Sequence, residues 1–358
     1  MLSSHYKRRV ESKLKLTAII QAMKDLIKQL EESNDRKYSK GLEKDALGTS
    51  SPNQITELIS SCLEQELGSK PVSLKFFAAS AALVYGFTLE DGREVVLKVF
   101  PSDWDKSSLE YSRALQNKLS DTGYPITKPL SKVFTLSKSH ATVDLFQEGP
   151  SEPDIVDRKY LQQLVKGLTE LSSICQKFKQ EKPRINVEQF GWTETERWGK
   201  QVRPEVNLDD NPEGAEWIEE LGHKARLMNK SPSGRTVISH DDWLPHNVKL
   251  NPSSLSLEIV YDWDSLCRGL ETVFVGKALT SASAEDIDFF ISTYEKSSGY
   301  NFNEEELTTI AGTALWMRAF LARWEHSQST KPTGYLRERL KNDSEAILRL
   351  PKSHLVQS

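Results

Sequence analysis

The stretch Val237–Asp264 reads VISHDDWLPHNVKLNPSSLSLEIVYDWD, and its punctuation decides how the chain is read. A short β-branched run ends at His240-Asp241-Asp242, and Pro245, with no amide hydrogen to give, forbids a regular strand through the loop. Asn247 opens a strand over Val248–Leu250. Asn251-Pro252-Ser253-Ser254 has turn composition, and Leu255–Tyr261 returns as a second strand that delivers Asp262-Trp263-Asp264. Antiparallel pairing of these strands predicts that the Asn247 carboxamide and the Asp262 carboxylate meet at one end of a hairpin. Two hard oxygens side by side suit Mg2+, which takes one or two protein groups and leaves the rest to water and phosphate. Asp242, on the intervening loop, is free to face the same cluster and to accept or orient a hydroxyl proton.

Three other readings of these residues stay open at this point. His240, Asp241, Asp242 and His246 form a zinc set only if a second ligand pair joins them, and none stands at regular spacing. Asp262-Trp263-Asp264 taken alone is a DxD pair of the kind that holds a metal and a sugar diphosphate in glycosyltransferases, or an acidic turn capping a helix near Ser265.

Upstream, Leu83–Glu90 and Glu94–Phe100 flank Asp91-Gly92, a pair that predicts a type I′ hairpin with positive φ at both central residues. The period of two places Lys98 on one face with Val96 and Phe100, and Val95, Leu97 and Val99 on the other. A lysine on an apolar face needs an anion, either a carboxylate or a bound phosphate. On an edge strand it would instead reach water along its own stem. Glu110, on a helix predicted over Ser107–Leu119, is the candidate carboxylate. Ser131–Phe146 reads as further strand material, and Gln147-Glu148-Gly149-Pro150 as a break. Beyond it the periodicity is helical at Tyr160–Ile174, Glu216–Met228, Asp286–Tyr294 and Glu304–Trp324.

Residues 1–50 differ from the rest. Leu16, Ile19, Ile20, Met23, Leu26, Ile27 and Leu30 make one apolar helical stripe, which predicts packing on its own domain or on a twin subunit to form a homodimer. Ser33–Ser51 reads as a linker. A helix then starts at Ser51-Pro52 and stops at Gly68.

The chain of 358 residues balances 47 Lys+Arg against 51 Asp+Glu, so it lacks the basic excess of a general nucleic-acid binder. No run approaches the ~18 apolar residues of a membrane helix, and MLSSHYKRRVESKLKL has no apolar leader core, which predicts a cytoplasmic protein without membrane contact. Cys62, Cys175 and Cys267 form no CxxC pair and support neither a disulfide framework nor a thiolate metal site. Between Glu205 and Gly222 stand Glu205, Asp209, Asp210, Glu213, Glu216, Glu219 and Glu220 with no Lys or Arg. Such a run either lines a pocket for a cationic small molecule, with Trp217 as an aromatic wall, or forms a solvated face.

The ordered set of strand lysine, helix glutamate, His-x-Asp-x4-Asn and strand-end Asp-Trp resembles the HxDxxxxN motif of aminoglycoside phosphotransferases and their choline-kinase-like relatives, over about residues 70–330. The resemblance implies an α+β, protein-kinase-like two-lobe fold: a small antiparallel β-sheet N-lobe, a mainly helical C-lobe and a helical N-terminal extension. It implies a helical extension and linker over 1–50, a nucleotide-binding lobe over 51–148, and a helical lobe with catalytic loop and acceptor site over 149–358. The implied activity is ATP- and Mg-dependent transfer of the γ-phosphate to a hydroxyl of a small molecule. Asp242 would be the catalytic aspartate, Asn247 and Asp262 the magnesium ligands, and Lys98 the phosphate-binding lysine with Glu110 as its partner. Ser80 would lie in the nucleotide-covering loop, and Phe146 and Glu148 in the hinge whose backbone meets adenine. Three departures stand out: Asp241 where the family usually has glycine, no glycine in Ala78–Ala82, and Ser265-Leu266-Cys267-Arg268 in place of a Gly-Asp-Pro stretch. A nucleotide-binding pseudo-kinase or regulatory module is the alternative, with the DxD glycosyltransferase third.

Overall fold

Five antiparallel strands organise the first part of the chain: β1 (Pro71–Ala79), β2 (Leu83–Leu89), β3 (Glu94–Val99), β4 (Phe134–Leu136) and β5 (Ser139–Leu145), in the order β1-β2-β3-β5-β4. The computed structural model describes residues 21, 23–33, 39–153, 156–178, 198, 207–328 and 334–353. They form two units. The first runs to Glu110 and resumes over Thr127–Gln147; the second takes Tyr111–Ile126 and the described chain from Glu148 onward. The first unit combines an antiparallel sheet with helices and the second is mainly helical, the α+β division expected from the sequence.

In the first unit, alternation gives the sheet two unequal faces. Phe77, Tyr85, Phe87, Val95, Leu97, Val99 and Val143 are buried in one core. Three helices close that face: α1, helical over 23–32, with α2 (Lys40–Leu47) and α3 (Pro52–Leu67). Leu26 and Leu30 from α1 join the same core, each contributing roughly 1.5–3 kcal/mol by leaving water. The amide of Leu74 on β1 also donates to Gln29 Oε1 at 2.9 Å. The described end of the apolar stripe therefore packs on its own unit, while Leu16, Ile19 and Ile20 lie outside the described residues. The linker expected over Ser33–Ser51 is corrected: Lys40–Leu47 is helical, with Leu42, Ala46 and Leu47 buried, because its apolar residues recur at helical spacing.

The Asp91-Gly92 turn also differs from expectation. Only Gly92 takes positive φ, at 84°, and Gly92 N donates to Leu89 O at 3.0 Å while Leu89 N donates to Arg93 O at 2.8 Å. This is the three-residue loop with glycine at its end, which needs one left-handed residue instead of two.

The second unit is built on α5 (Arg158–Cys175), α6 (Glu216–Met228), α7 (Glu271–Leu279), α8 (Ile287–Ser298), α9 (Glu304–Gln328) and α10 (Tyr335–Ser353). The α9 helix packs against α6, α7 and α10 around a large apolar core. Asp157 caps α5 by accepting from Tyr160 N. Two small ribbons sit among the helices: β6 (Thr236–His240) with β9 (Leu266–Leu270), and β7 (Val248–Leu250) with β8 (Leu257–Val260), both antiparallel. Among the described residues no helix is long and apolar enough to cross a membrane.

Candidate active site

The β7–β8 hairpin places Val248 opposite Val260, and Tyr261 N donates to Asn247 O at 2.9 Å. Asn247 and Asp262 thus leave the ribbon at the same end. Asp262 takes a left-handed conformation, φ 64° and ψ 45°, and opens a tight turn in which its Oδ2 accepts from Ser265 Oγ at 3.3 Å. Trp263 drives that turn inward: it is buried and donates from Nε1 to Val260 O at 2.7 Å.

Asp242 reaches the same region from the end of β6. Trp243, fully buried and bonded from Nε1 to Leu164 O at 2.9 Å, anchors the loop, and Gly167 on α5 leaves room for its ring. Asn247 Nδ2 donates to Asp242 Oδ2 at 2.8 Å and to the Asp242 carbonyl at 3.0 Å. His246 Nε2 lies 3.1 Å from the same Oδ2. Burial works to raise the Asp242 pKa, but the His246 hydrogen bond and charge outweigh it and hold the carboxyl below the usual aspartate range. For His246, burial pulls the other way, and the Asp242 bond and charge raise its pKa on balance.

His240 ties the two carboxylate-bearing turns together. Its Nδ1 accepts from Asp242 N at 3.2 Å, so Nε2 carries the proton and donates to Tyr261 O at 2.9 Å. The ring is wholly buried, edge-on to Trp243 and Trp263, and burial lowers its pKa against the pull of Asp262 and Asp242. Both nitrogens being used, His240 has none left for a zinc ion. Among the described residues no group of three or more His, Cys, Asp or Glu side chains is arranged to hold a metal. A second tie joins Asp241 N to Ser265 O at 2.8 Å. The Asp241 carboxylate turns inward to Lys277 on α7, with Oδ2 at 2.5 Å from Nζ.

The first unit holds the other expected residues except Glu148. Lys98 is on β3, the middle strand, so the edge-strand alternative falls away. It lies on the sheet's half-buried face, in a cross-strand row with Ala78, Val84 and Thr142. Phe76 shares that face by lying over Gly86, and tilts against Phe146 at 5.8 Å between centroids. Phe146 N continues the ladder by donating to Glu94 O, and Lys75 Nζ sits 4.3 Å from its ring. Ser80 is exposed in the β1–β2 turn, where its N donates to Ala82 O. Glu110 lies in the first turns of α4 (Lys106–Asp121), half exposed, in an ion pair at 3.4 Å with Lys106, the neighbour that the helical i, i+4 spacing supplies. Glu148 is exposed at the start of the second unit. Next to it Gly149 is packed so closely that a Cβ would stand 2.6 Å from Tyr261 Oη.

The phosphotransferase enzyme family model matches residues 73–308, more than half of the chain. The chain belongs to that family. This phosphotransferase also resembles solved structures in fold: a microcompartment-associated aminopropanol kinase, at 16% identity and a TM-score of 0.54 over 83% of this chain and 98% of that one. An amicoumacin kinase in complex with AMP-PNP, Ca2+ and Ami matches at 15% identity and 0.53 over 80% and 88%. Comparison with curated proteins finds no match. Family membership sets aside the glycosyltransferase reading: the chain is a phosphotransferase.

The acidic run of the phosphotransferase is divided between paired and exposed carboxylates. Glu219 accepts from Arg323 at 2.8 Å and from Trp198 at 3.2 Å, Glu220 pairs with Lys224 at 2.9 Å, and Glu216 is exposed. Glu205 lies outside the described residues. Sequence reasoning weighed His240 and His246 only as metal ligands; their positions two residues before and four residues after Asp242 were the signal for their bonds to its amide and its carboxylate.

Proposed function

We propose that this chain is an ATP- and magnesium-dependent kinase of the cytoplasm that phosphorylates a hydroxyl on a small amino alcohol or amino sugar. The observation that carries this reading is the state of Asp242: Oδ2 accepts from Asn247 and His246, while Oδ1 accepts no hydrogen bond from the described residues. That free oxygen takes the proton of the acceptor hydroxyl. The hydroxyl oxygen forms a bond to the γ-phosphorus as the bond to the bridging oxygen of ADP breaks.

The donor set fits a hard cation. With Nδ2 of Asn247 committed to Asp242, its Oδ1 accepts nothing from the described residues and is available beside the Asp262 carboxylate. A divalent ion held by these two groups would neutralise charge on the phosphate oxygens. Lys98, with the half-buried face of its sheet, contributes an ammonium to the nucleotide phosphates, and the backbone at Phe146 and Glu148 receives the adenine. Phe76 and Phe146 give that region an aromatic surface. Ser80, exposed in the β1–β2 turn, covers the nucleotide in this reading, and Glu110, paired with Lys106, is the carboxylate assigned to Lys98.

Aminopropanol, the acceptor named for one fold neighbour, is the first compound to try, followed by aminoglycosides. Thermal-shift screening with MgATP and then with these acceptors should raise the unfolding temperature. Asp242→Asn should lower kcat by about 10²–10⁴ with the KM for ATP little changed. Full activity in that variant would end the proposal.

A further inference from the structure

We infer that His246 is a positioning residue that fixes which oxygen of Asp242 meets the acceptor hydroxyl. This rests on the reading of Asp242 given above. A carboxylate has two equivalent oxygens, and rotation about its last torsion exchanges them at little cost. Asn247 Nδ2 alone, at 2.8 Å, could follow either one. The second donor removes the choice: His246 Nε2, at 3.1 Å, approaches the same Oδ2. With two donors on Oδ2, its basicity is reduced and the lone pairs of Oδ1 are the ones left for an incoming hydroxyl.

Packing does not put the imidazole there. Its side chain is 49% exposed, and what aims it is the turn in which Asn247 N and Val248 N both donate to Leu244 O, each at 2.9 Å. That turn folds position 246 back over position 242. His240 and Trp243 are buried and fixed by the fold, whereas His246 spends half its surface in water and still faces the carboxylate. A half-exposed side chain whose hydrogen bond, among the described residues, goes to the reacting group acts through orientation. In phosphoryl transfer, orientation is a large part of what a protein supplies, and displacing a group by about 1 Å can cost about 10²-fold.

The test uses the full chain in four forms: wild type, His246→Ala, His246→Gln and Asp242→Asn. MgATP consumption is followed with water or aminopropanol as acceptor, and the 15N resonance of His246 Nε2 is followed without any ligand. His246→Ala should reduce kcat about tenfold with the KM for ATP unchanged, and His246→Gln, whose Nε2–H can reach the same oxygen, should keep most of the activity. The Nε2 resonance should shift in Asp242→Asn, which removes the negative charge that this ring nitrogen faces. Unchanged kcat in His246→Ala beside a silent Asp242→Asn overturns this inference and leaves the kinase reading standing. Equal losses in His246→Ala and His246→Gln also overturn it, as does a resonance indifferent to Asp242. An active Asp242→Asn removes the reading on which both depend.

Discussion

Asp241 Oδ2 stands 2.5 Å from Lys277 Nζ, and only 10% and 2% of the two side chains are exposed. The residue beside the proposed catalytic aspartate therefore carries a carboxylate that is already neutralised from inside the helical unit. Removing one partner should cost far more than removing both, because a lone charge would be left in the core. Lys277→Met is expected to lose about 3–5 kcal/mol in urea unfolding, and Asp241→Gly with Lys277→Met to recover most of it. A single variant as stable as wild type would show the pair to be energetically idle.

His240 should give the protein an acid-side limit to stability. Its pKa is lowered in the folded chain from an ordinary 6.5, so the unfolded chain binds the proton first. The stabilisation is complete above about pH 6.5 and is lost as pH falls from there toward the folded value. The urea midpoint of wild type should drop between pH 7 and 5, and His240→Asn, less stable at pH 7.5, should show a flatter profile over that window.

Gly86 is a point at which the sheet face proposed to meet nucleotide tolerates little change. A Cβ at this position would collide with the Phe76 ring. Gly86→Ala should push the ring off the strand and disturb its contact with Phe146, costing about 1–3 kcal/mol and raising the KM for ATP more than it lowers kcat. Steady-state kinetics and thermal unfolding on the same sample separate the two effects.

The amino-terminal helix is predicted to be part of the first unit's core. Leu26→Ala and Leu30→Ala should each cost about 2–4 kcal/mol, read by chemical denaturation. Sedimentation velocity should return the same species for wild type and variants; dissociation of a larger species on substitution would instead assign these leucines to a subunit contact.

Much of the fold was legible from residue type and spacing. The β7–β8 hairpin followed from Pro252, Asn251 and the apolar runs beside them, and with it the pairing of Asn247 and Asp262 at one end. Lys98 on a strand followed from a period of two. What could not be read was long-range. β9 is only Leu-Cys-Arg-Gly-Leu, an ordinary run until β6 pairs with it 30 residues away in sequence. α7 is buried on every side, so it has no amphipathic periodicity to reveal it, and its Lys277 is recognisable as a partner of Asp241 only in three dimensions. α10 was missed for the opposite reason, since its charges outnumber its apolar residues and Pro351 lies within it. Glu110, matched by order to Lys98, forms an ion pair with Lys106 on its own helix, a contact that the i, i+4 spacing already carried.

The bonds of His240 to Asp242 N and Tyr261 O, with that of Asp241 N to Ser265 O, rivet the two acidic turns into a single bracket. A bracket of this kind transmits any shift of one acid to the other, so the reacting centre has little freedom to remodel itself around acceptors of different size. Divergence in what such an enzyme phosphorylates must then be written into surrounding segments, and swapping those segments between relatives should transplant acceptor preference while the bracket is left untouched.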